Sequence, residues 1–246
     1  MKPRVLVLRA AGTNCDAETA YAFALVGAEP TTLHVNRLRE QPTLLRDFQV
    51  LAIPGGFSYG DDVASGRIFA NELMSGLRDE LLAFVARGGF AIGICNGFQV
   101  LVKSGLLPSI DGRTDQHATL TDNTSGVYTD RWVKLTGDAK RCAWIPDDVE
   151  IELPVAHGEG RFVADAGVLK TLAKNHQIAL RYSGVNPNGS ADAIAGVCDP
   201  TGVVLGLMPH PENHVIPRQF PGFTSGARGE IGLALFEQGV RYAKER

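Results

Sequence analysis

At 246 residues with 44% hydrophobic content, the chain is long enough to bury one large layered core. Charged residues make up 21% and the formal net charge is −3, so nothing suggests a polyanion-binding surface and nucleic acid is not expected as the main partner. No apolar run approaches the roughly 20 residues of a membrane helix, and the first residues lack the apolar core of a signal peptide, so a cytoplasmic protein with no membrane association is expected.

Arg4 to Arg9 is rich in Val and Leu and reads as a buried strand. It runs into Gly12-Thr13-Asn14-Cys15-Asp16, which has two readings: contact with the substrate site or the partner, and, the favoured one, a turn followed by a helix N-cap from Asn14 or Asp16. Apolar residues at helical spacing predict a helix over Asp16 to Val26, stopped by Gly27. Thr31 to Val35 and Val50 to Ile53 are the next strands, the latter ending at Pro54-Gly55-Gly56. Ile68 to Ala86 reads as one long amphipathic helix closed by Gly88-Gly89. Phe90 to Ile94 is a fourth strand, and Gly97 to Lys103 opens another helix. Strand–helix alternation with short turns predicts a mostly parallel sheet covered on both faces, with chemistry at the carboxyl ends of its strands.

From Thr119 the texture changes. Val127 to Leu135, Ile151 to Ala156, Gln177 to Tyr182, Ala193 to Cys198 and Val203 to Met208 read as extended strands. Asp199-Pro200-Thr201-Gly202 is a hairpin turn between the last two. Antiparallel strands added to the parallel core are therefore expected, with a closing helix over Gly229 to Lys244. No linker or repeat divides the chain, so residues 1–246 are expected to form a single domain.

No two of Cys15, Cys95, Cys142 and Cys198 stand at C-x-x-C spacing, so no metal site is expected and free thiols are. Cys95 differs from the other three. Gly93-Ile94-Cys95-Asn96-Gly97 is G-x-C-x-G, the cysteine form of a nucleophile elbow, where glycines relieve clashes in a sharp strand-to-helix turn. The thiol then stands over a helix N-terminus, whose partial positive charge favours thiolate. A base should end another strand. Val203 to Met208 leads into Pro209-His210-Pro211-Glu212, where the carboxylate two residues on can orient the imidazole. Gly55 or Gly56, in the Gly-Gly turn, offers bare N–H groups for one side of an oxyanion hole, and the Asn96 N–H offers the other. Among the remaining histidines, only His157 is expected near the site, with no proton-transfer role.

These pieces, in this order, resemble the class I (triad) glutamine amidotransferases. Finer segments resemble one branch of them, the glutaminase subunits of phosphoribosylformylglycinamidine synthase. They are GTNCD at Gly12 to Asp16, PGGFSYGD at Pro54 to Asp61, GICNGFQ at Gly93 to Gln99, PVAHGEGRF at Pro154 to Phe162, NPNGSADAIAG at Asn186 to Gly196, and MPHPEN at Met208 to Asn213. The resemblance implies a flavodoxin-like sheet, a Cys95–His210–Glu212 triad and free glutamine as substrate. It places Gln99, His157 and Gly158 in contact with or around that substrate.

The chemistry so implied is attack by Cys95 on the side-chain amide of glutamine, release of ammonia, and hydrolysis of a γ-glutamyl thioester by water that His210 activates. Nothing in the chain looks built to consume the ammonia, since there is no G-x-x-x-x-G-K-[ST] phosphate loop. Ammonia freed into neutral water would be protonated, so a partner with a sheltered passage is expected. The resemblance implies a large synthetase subunit, which uses ATP and magnesium on formylglycinamide ribonucleotide, and a small third subunit. No cofactor is expected in this chain itself. The rival readings are an elbow-cysteine peptidase or stress protein, an inactive interaction subunit, and a glutaminase serving another synthetase.

Overall fold

The computed structural model describes residues 2–110, 114–147, 149–226 and 232–245. The first half alternates strand and helix: β1 (Arg4–Arg9), α1 (Asp16–Leu25), β2 (Glu29–His34), α2 (Val35–Glu40), β3 (Val50–Ile53), α3 (Arg67–Gly76), α4 (Arg78–Ala86), β4 (Phe90–Ile94) and α5 (Asn96–Lys103). The second half is strand-rich: β5 (Ala118–Thr121), β6 (Thr129–Gly137), β7 (Glu150–His157), β8 (Arg161–Ala164), α6 (Ala166–Lys174), β9 (Ile178–Ser183), β10 (Ile194–Cys198), β11 (Val204–Leu207) and α7 (Gly232–Glu245). Residues 229–231, where the closing helix is expected to begin, lie outside the described residues.

One sheet holds nine strands in the order β2-β1-β3-β4-β11-β10-β9-β6-β7. The first five are parallel, and each later neighbour runs antiparallel to the one before it. With β11 as fifth strand, the parallel part has the flavodoxin-like order 2-1-3-4-5. The expected α/β architecture, a mostly parallel core with antiparallel additions, is what the chain adopts. Successive side chains of a strand point to opposite faces. Val5, Leu6, Val7 and Leu8 are all fully buried, so both faces of β1 are covered. β7 instead alternates buried and half-buried positions, as a sheet with one wetter face does.

The hairpin between β10 and β11 forms at Asp199–Gly202. There the Asp199 carboxylate accepts from the Thr201 N–H at 3.0 Å and the Val204 N–H at 2.9 Å. The expected single helix over Ile68–Ala86 is two helices, α3 and α4, broken at Leu77 with φ −131° and ψ 2°. Gly76 weakens the first helix at its end, Leu77 is buried at 1% exposure, and Asp79 and Glu80 favour a new helix start in the first turn of α4. The strand expected from Val127 begins at Thr129, because Val127 and Tyr128 stay exposed beside the turn at Gly126. Likewise Val35, expected to end a strand, opens α2, with the His34 side chain accepting from the Asn36 N–H.

Candidate active site

Four parallel strands end at one place. The loops after β1, β3, β4 and β11 carry Cys15, Gly55 and Gly56, Cys95, and His210. Cys95 sits between β4 and α5 with φ 51° and ψ −105°, a conformation that non-glycine residues rarely adopt. The turn is held from both sides: the Cys95 N–H donates to Leu207 O at 2.8 Å, and its carbonyl accepts from the Gln99 N–H at 3.1 Å. Glycine is required on either side of it. A β-carbon on Gly97 would stand 1.9 Å from Ile53 O, and one on Gly93 would stand 2.6 Å from Gly97 O. The Cys95 Sγ lies 3.8 Å from Ala156 O, under the end of β7.

His210 is 4% exposed and Glu212 1%. The Nδ1 of His210 lies 2.7 Å from Glu212 Oε1, which fixes the proton on Nδ1 and leaves Nε2 to the site. Nε2 is buried without a hydrogen-bond partner of good geometry, as is Glu212 Oε2. Burial disfavours the imidazolium, but Glu212 and Cys95, together with hydrogen bonding to Cys15 and Cys95, outweigh it and hold the His210 pKa well above its ordinary value. The ring is seated by Gly55, since a β-carbon there would be 2.8 Å from His210 Cε1 and 3.4 Å from Nδ1. From behind, the His210 N–H donates to Pro154 O of β7 at 2.9 Å.

The loop after β1 pairs with the Gly-Gly turn through a Thr13–Gly56 bridge. Gly55 O accepts from the N–H groups of Asn14 at 3.3 Å and Cys15 at 3.2 Å. In a trans peptide the next N–H points the other way, so the Gly56 N–H faces away from this loop. It has no backbone acceptor among the described residues. The Asn96 N–H is the first donor of α5, a position with no intrahelical partner.

The expected side-chain cap from Asn14 or Asp16 is absent: Cys15 is the N-cap of α1 and makes no side-chain cap bond. Its thiol instead lies within the site. Cys15 Sγ, a His210 ring nitrogen and a Glu212 carboxylate oxygen all lie within 4.8 Å of one another. Burial pushes the Cys15 thiol up. The favoured turn-and-cap reading of Gly12 to Asp16 does not place the thiol here; the less favoured one, contact with the site, fits this position, which depends on the two loops meeting.

Gln99 is buried at 3% exposure; its Oε1 accepts from Asn96 Nδ2 at 2.9 Å and its Nε2 donates to Glu159 O at 2.6 Å. Asn96 Oδ1 in turn accepts from the Ser58 N–H at 3.2 Å. Gln99 therefore ties the elbow helix to the loop after β7. His157, the last residue of β7, is fixed between Asn123 Oδ1 at 3.1 Å and Asn188 Nδ2 at 3.5 Å. Burial, with the nearby His210, lowers its pKa to about 4, which keeps it neutral. Gly160 leaves room for its ring, where a β-carbon would be 2.3 Å away. Gly158 is open: a β-carbon placed there would have only Tyr128 Cδ2 within 4 Å, at 3.9 Å. Tyr128 is exposed and its ring stacks near Phe57 at 6.5 Å between centroids.

The family model of the CobB/CobQ-like glutamine amidotransferase domain matches residues 2–243. A protein of Treponema denticola, named phosphoribosylformylglycinamidine synthase subunit PurQ, is 43% identical, covering 98% of this chain and 99% of the relative. A protein of the same name from Dehalococcoides mccartyi is 40% identical over 99% of each chain. A chain in the structure of PurLQS from Thermotoga maritima superposes with a TM-score of 0.79 at 33% identity, over 98% of this chain and 99% of that one.

Proposed function

The chain belongs to the CobB/CobQ-like glutamine amidotransferase family, and we propose that it hydrolyses glutamine through Cys95, His210 and Glu212. It is the glutaminase subunit of phosphoribosylformylglycinamidine synthase, an enzyme of purine biosynthesis, and works with PurL and PurS subunits. The observation that carries the catalytic assignment is the strained backbone of Cys95 beside an imidazole already bound to Glu212.

In the proposed reaction the Cys95 thiol passes its proton to His210 Nε2 as the sulfur attacks the amide carbon of the glutamine side chain. The developing oxyanion lies between the N–H groups of Gly56 and Asn96, with Gly55 the less favoured donor. Each such donor contributes about 100-fold or more in rate. His210 gives its Nε2 proton to the departing nitrogen, and ammonia leaves. A γ-glutamyl thioester remains on Cys95. His210 then takes a proton from water, which attacks the thioester; the C–S bond breaks, glutamate is freed and the Cys95 sulfur takes the proton back from His210. Glu212 orients the ring and balances the imidazolium throughout. Gln99, His157 and Gly158 shape the glutamine pocket by fixing the loop after β7 against the elbow helix. The whole chain, residues 1–246, acts as a single glutamine amidotransferase domain. Ammonia passes to the synthetase subunit, where ATP and magnesium drive conversion of formylglycinamide ribonucleotide to formylglycinamidine ribonucleotide. The complex works in the cytoplasm. Among the described residues no helix is long and apolar enough to cross a membrane.

The test is mass spectrometry of the protein incubated with glutamine, alone and with its partner subunits. A glutamyl adduct on Cys95 is expected. An adduct on Cys15 instead, or none in any mixture, overturns the assignment.

A further inference from the structure

We propose that His214 is a positioning residue of the glutaminase: its ring hangs the segment carrying His210 and Glu212 on the edge of β7, and so sets where the His210 imidazole stands over Cys95. The proposal rests on the proposed triad and names what holds that triad in register.

β7 is the last strand of the nine-stranded sheet and, among the described residues, pairs only with β6. Residues two apart on a strand turn their carbonyls to the same side. In β7 three outward carbonyls are taken up in order. Glu152 O accepts from the His214 ring Nδ1 at 2.6 Å, Pro154 O accepts from the His210 N–H at 2.9 Å, and Ala156 O accepts from the Cys95 thiol at 3.8 Å. Three groups from two distant segments thus hang on one edge, their acceptors about 6.8 Å apart at a rise of about 3.4 Å per residue. Between the first two bonds the chain makes a single 3₁₀ turn, Pro211–Asn213. The Asn213 N–H closes it onto His210 O at 3.2 Å, and the His214 N–H onto Pro211 O at 3.1 Å. Glu212 lies inside that turn, with an anchor to β7 on either side of it.

The ring is built in for its Nδ1–H. A carbonyl only accepts, so the bond to Glu152 O puts the proton on Nδ1. His214 is fully buried; its ring stands edge-on to Trp132 at 4.8 Å between centroids and is stacked with Phe220 at 5.5 Å. Its Nε2 is buried with no hydrogen-bond partner among the described residues. A bare nitrogen in an aromatic box costs stability that an apolar residue of the same shape would not. What the imidazole supplies in return is its bond to the strand that also holds His210.

Two amides separate the two ring nitrogens. Asparagine puts its Nδ2 where Nδ1 stands, whereas glutamine puts its Nε2 where the unpartnered Nε2 stands. In the assembled complex, His214→Gln is expected to lower kcat for glutamine hydrolysis by roughly 10- to 100-fold, the cost of displacing a reacting group by about 1 Å, with little change in KM. His214→Asn stays within about threefold of wild type. A residue that only supported the fold would lose activity with both amides, in step with the urea midpoint. The readout that needs no turnover is the His210 ring N–H proton bonded to Glu212, followed by NMR in the full chain carrying isotope-labelled histidine. His214→Gln shifts that signal and His214→Asn leaves it in place. A kcat for His214→Gln within about twofold of wild type, an equal loss in both variants, or a His210 signal unmoved in His214→Gln overturns the proposal. Full turnover by a Cys95→Ala complex would instead refute the glutaminase reading, and the His210 signal would still decide whether His214 holds the ring.

Discussion

Replacing Gly55 by alanine tests the seating of His210, the proposed base. Gly55 has no positive φ, so an alanine backbone is at ease there and the N–H groups of the turn are kept. The added methyl would meet His210 Cε1 at 2.8 Å, whereas ordinary contact starts at 3.4 Å, so the ring must retreat by about 0.6 Å. Its anchors are short: 2.7 Å from Nδ1 to Glu212 and 2.9 Å from its N–H to Pro154 O. A misplacement of about 1 Å costs about 10²-fold in rate. A loss of roughly 10- to 100-fold in kcat is therefore expected, about 1.4–2.7 kcal/mol of transition-state stabilisation. The KM for glutamine should hardly change, and neither should the denaturant midpoint. The assay is steady-state glutamate release by the assembled complex. A Gly55→Ala enzyme within about twofold of wild type would show that the ring is not held where this geometry requires.

Three other outcomes are expected. Glu212→Gln removes the charge that orients and balances His210, and should lower kcat by roughly 10²- to 10⁴-fold with little change in KM; steady-state kinetics giving less than tenfold would contradict its role. Asn123→Ala strips the donor that meets Val127 O, Thr129 Oγ1 and His157 O at 3.0, 3.2 and 2.9 Å and the acceptor for the Gly160 N–H. It should cost about 2–4 kcal/mol in urea unfolding by leaving buried groups unmet. His157, held near a pKa of about 4 against an ordinary 6.5, takes its proton more readily when unfolded. Its contribution is therefore complete above pH 6.5, falls by about 1.4 kcal/mol per unit below that, and levels off below pH 4. Urea midpoints between pH 7 and pH 4 should show this slope, and a His157→Gln variant should flatten it.

The parallel core was legible because β1, β3 and β4 are buried on both faces and so read as unbroken apolar runs. The elbow was legible for a local reason too, since a turn that brings Gly97 against Ile53 O admits no other residue there. The H-P-E segment carries its orienting bond within two residues. What escaped the sequence was set by contacts between distant segments. β5 and β8 are four residues each and, among the described residues, pair only with one another, so neither carries a clear period. α6 buries only Leu172 fully, which leaves a weak stripe. The break at Leu77 follows from that side chain packing inward, against a pattern that otherwise continues as helix. Cys15 sits beside His210 because the loop after β1 pairs with the turn after β3, a meeting that the favoured turn-and-cap reading of GTNCD does not give.

β7 is the last strand of the antiparallel half, yet it returns to the carboxyl ends of the parallel one. Its carbonyls reach the His210 N–H, the His214 ring at 2.6 Å and the Cys95 thiol. The chain therefore cannot be dissected into a smaller enzyme and a dispensable appendage. A fragment cut before β5 would carry the sulfur and lose its imidazole; a fragment begun there would carry the imidazole and lose its sulfur. Evolution could vary the helices and surface of either portion, but the two had to be inherited as one piece.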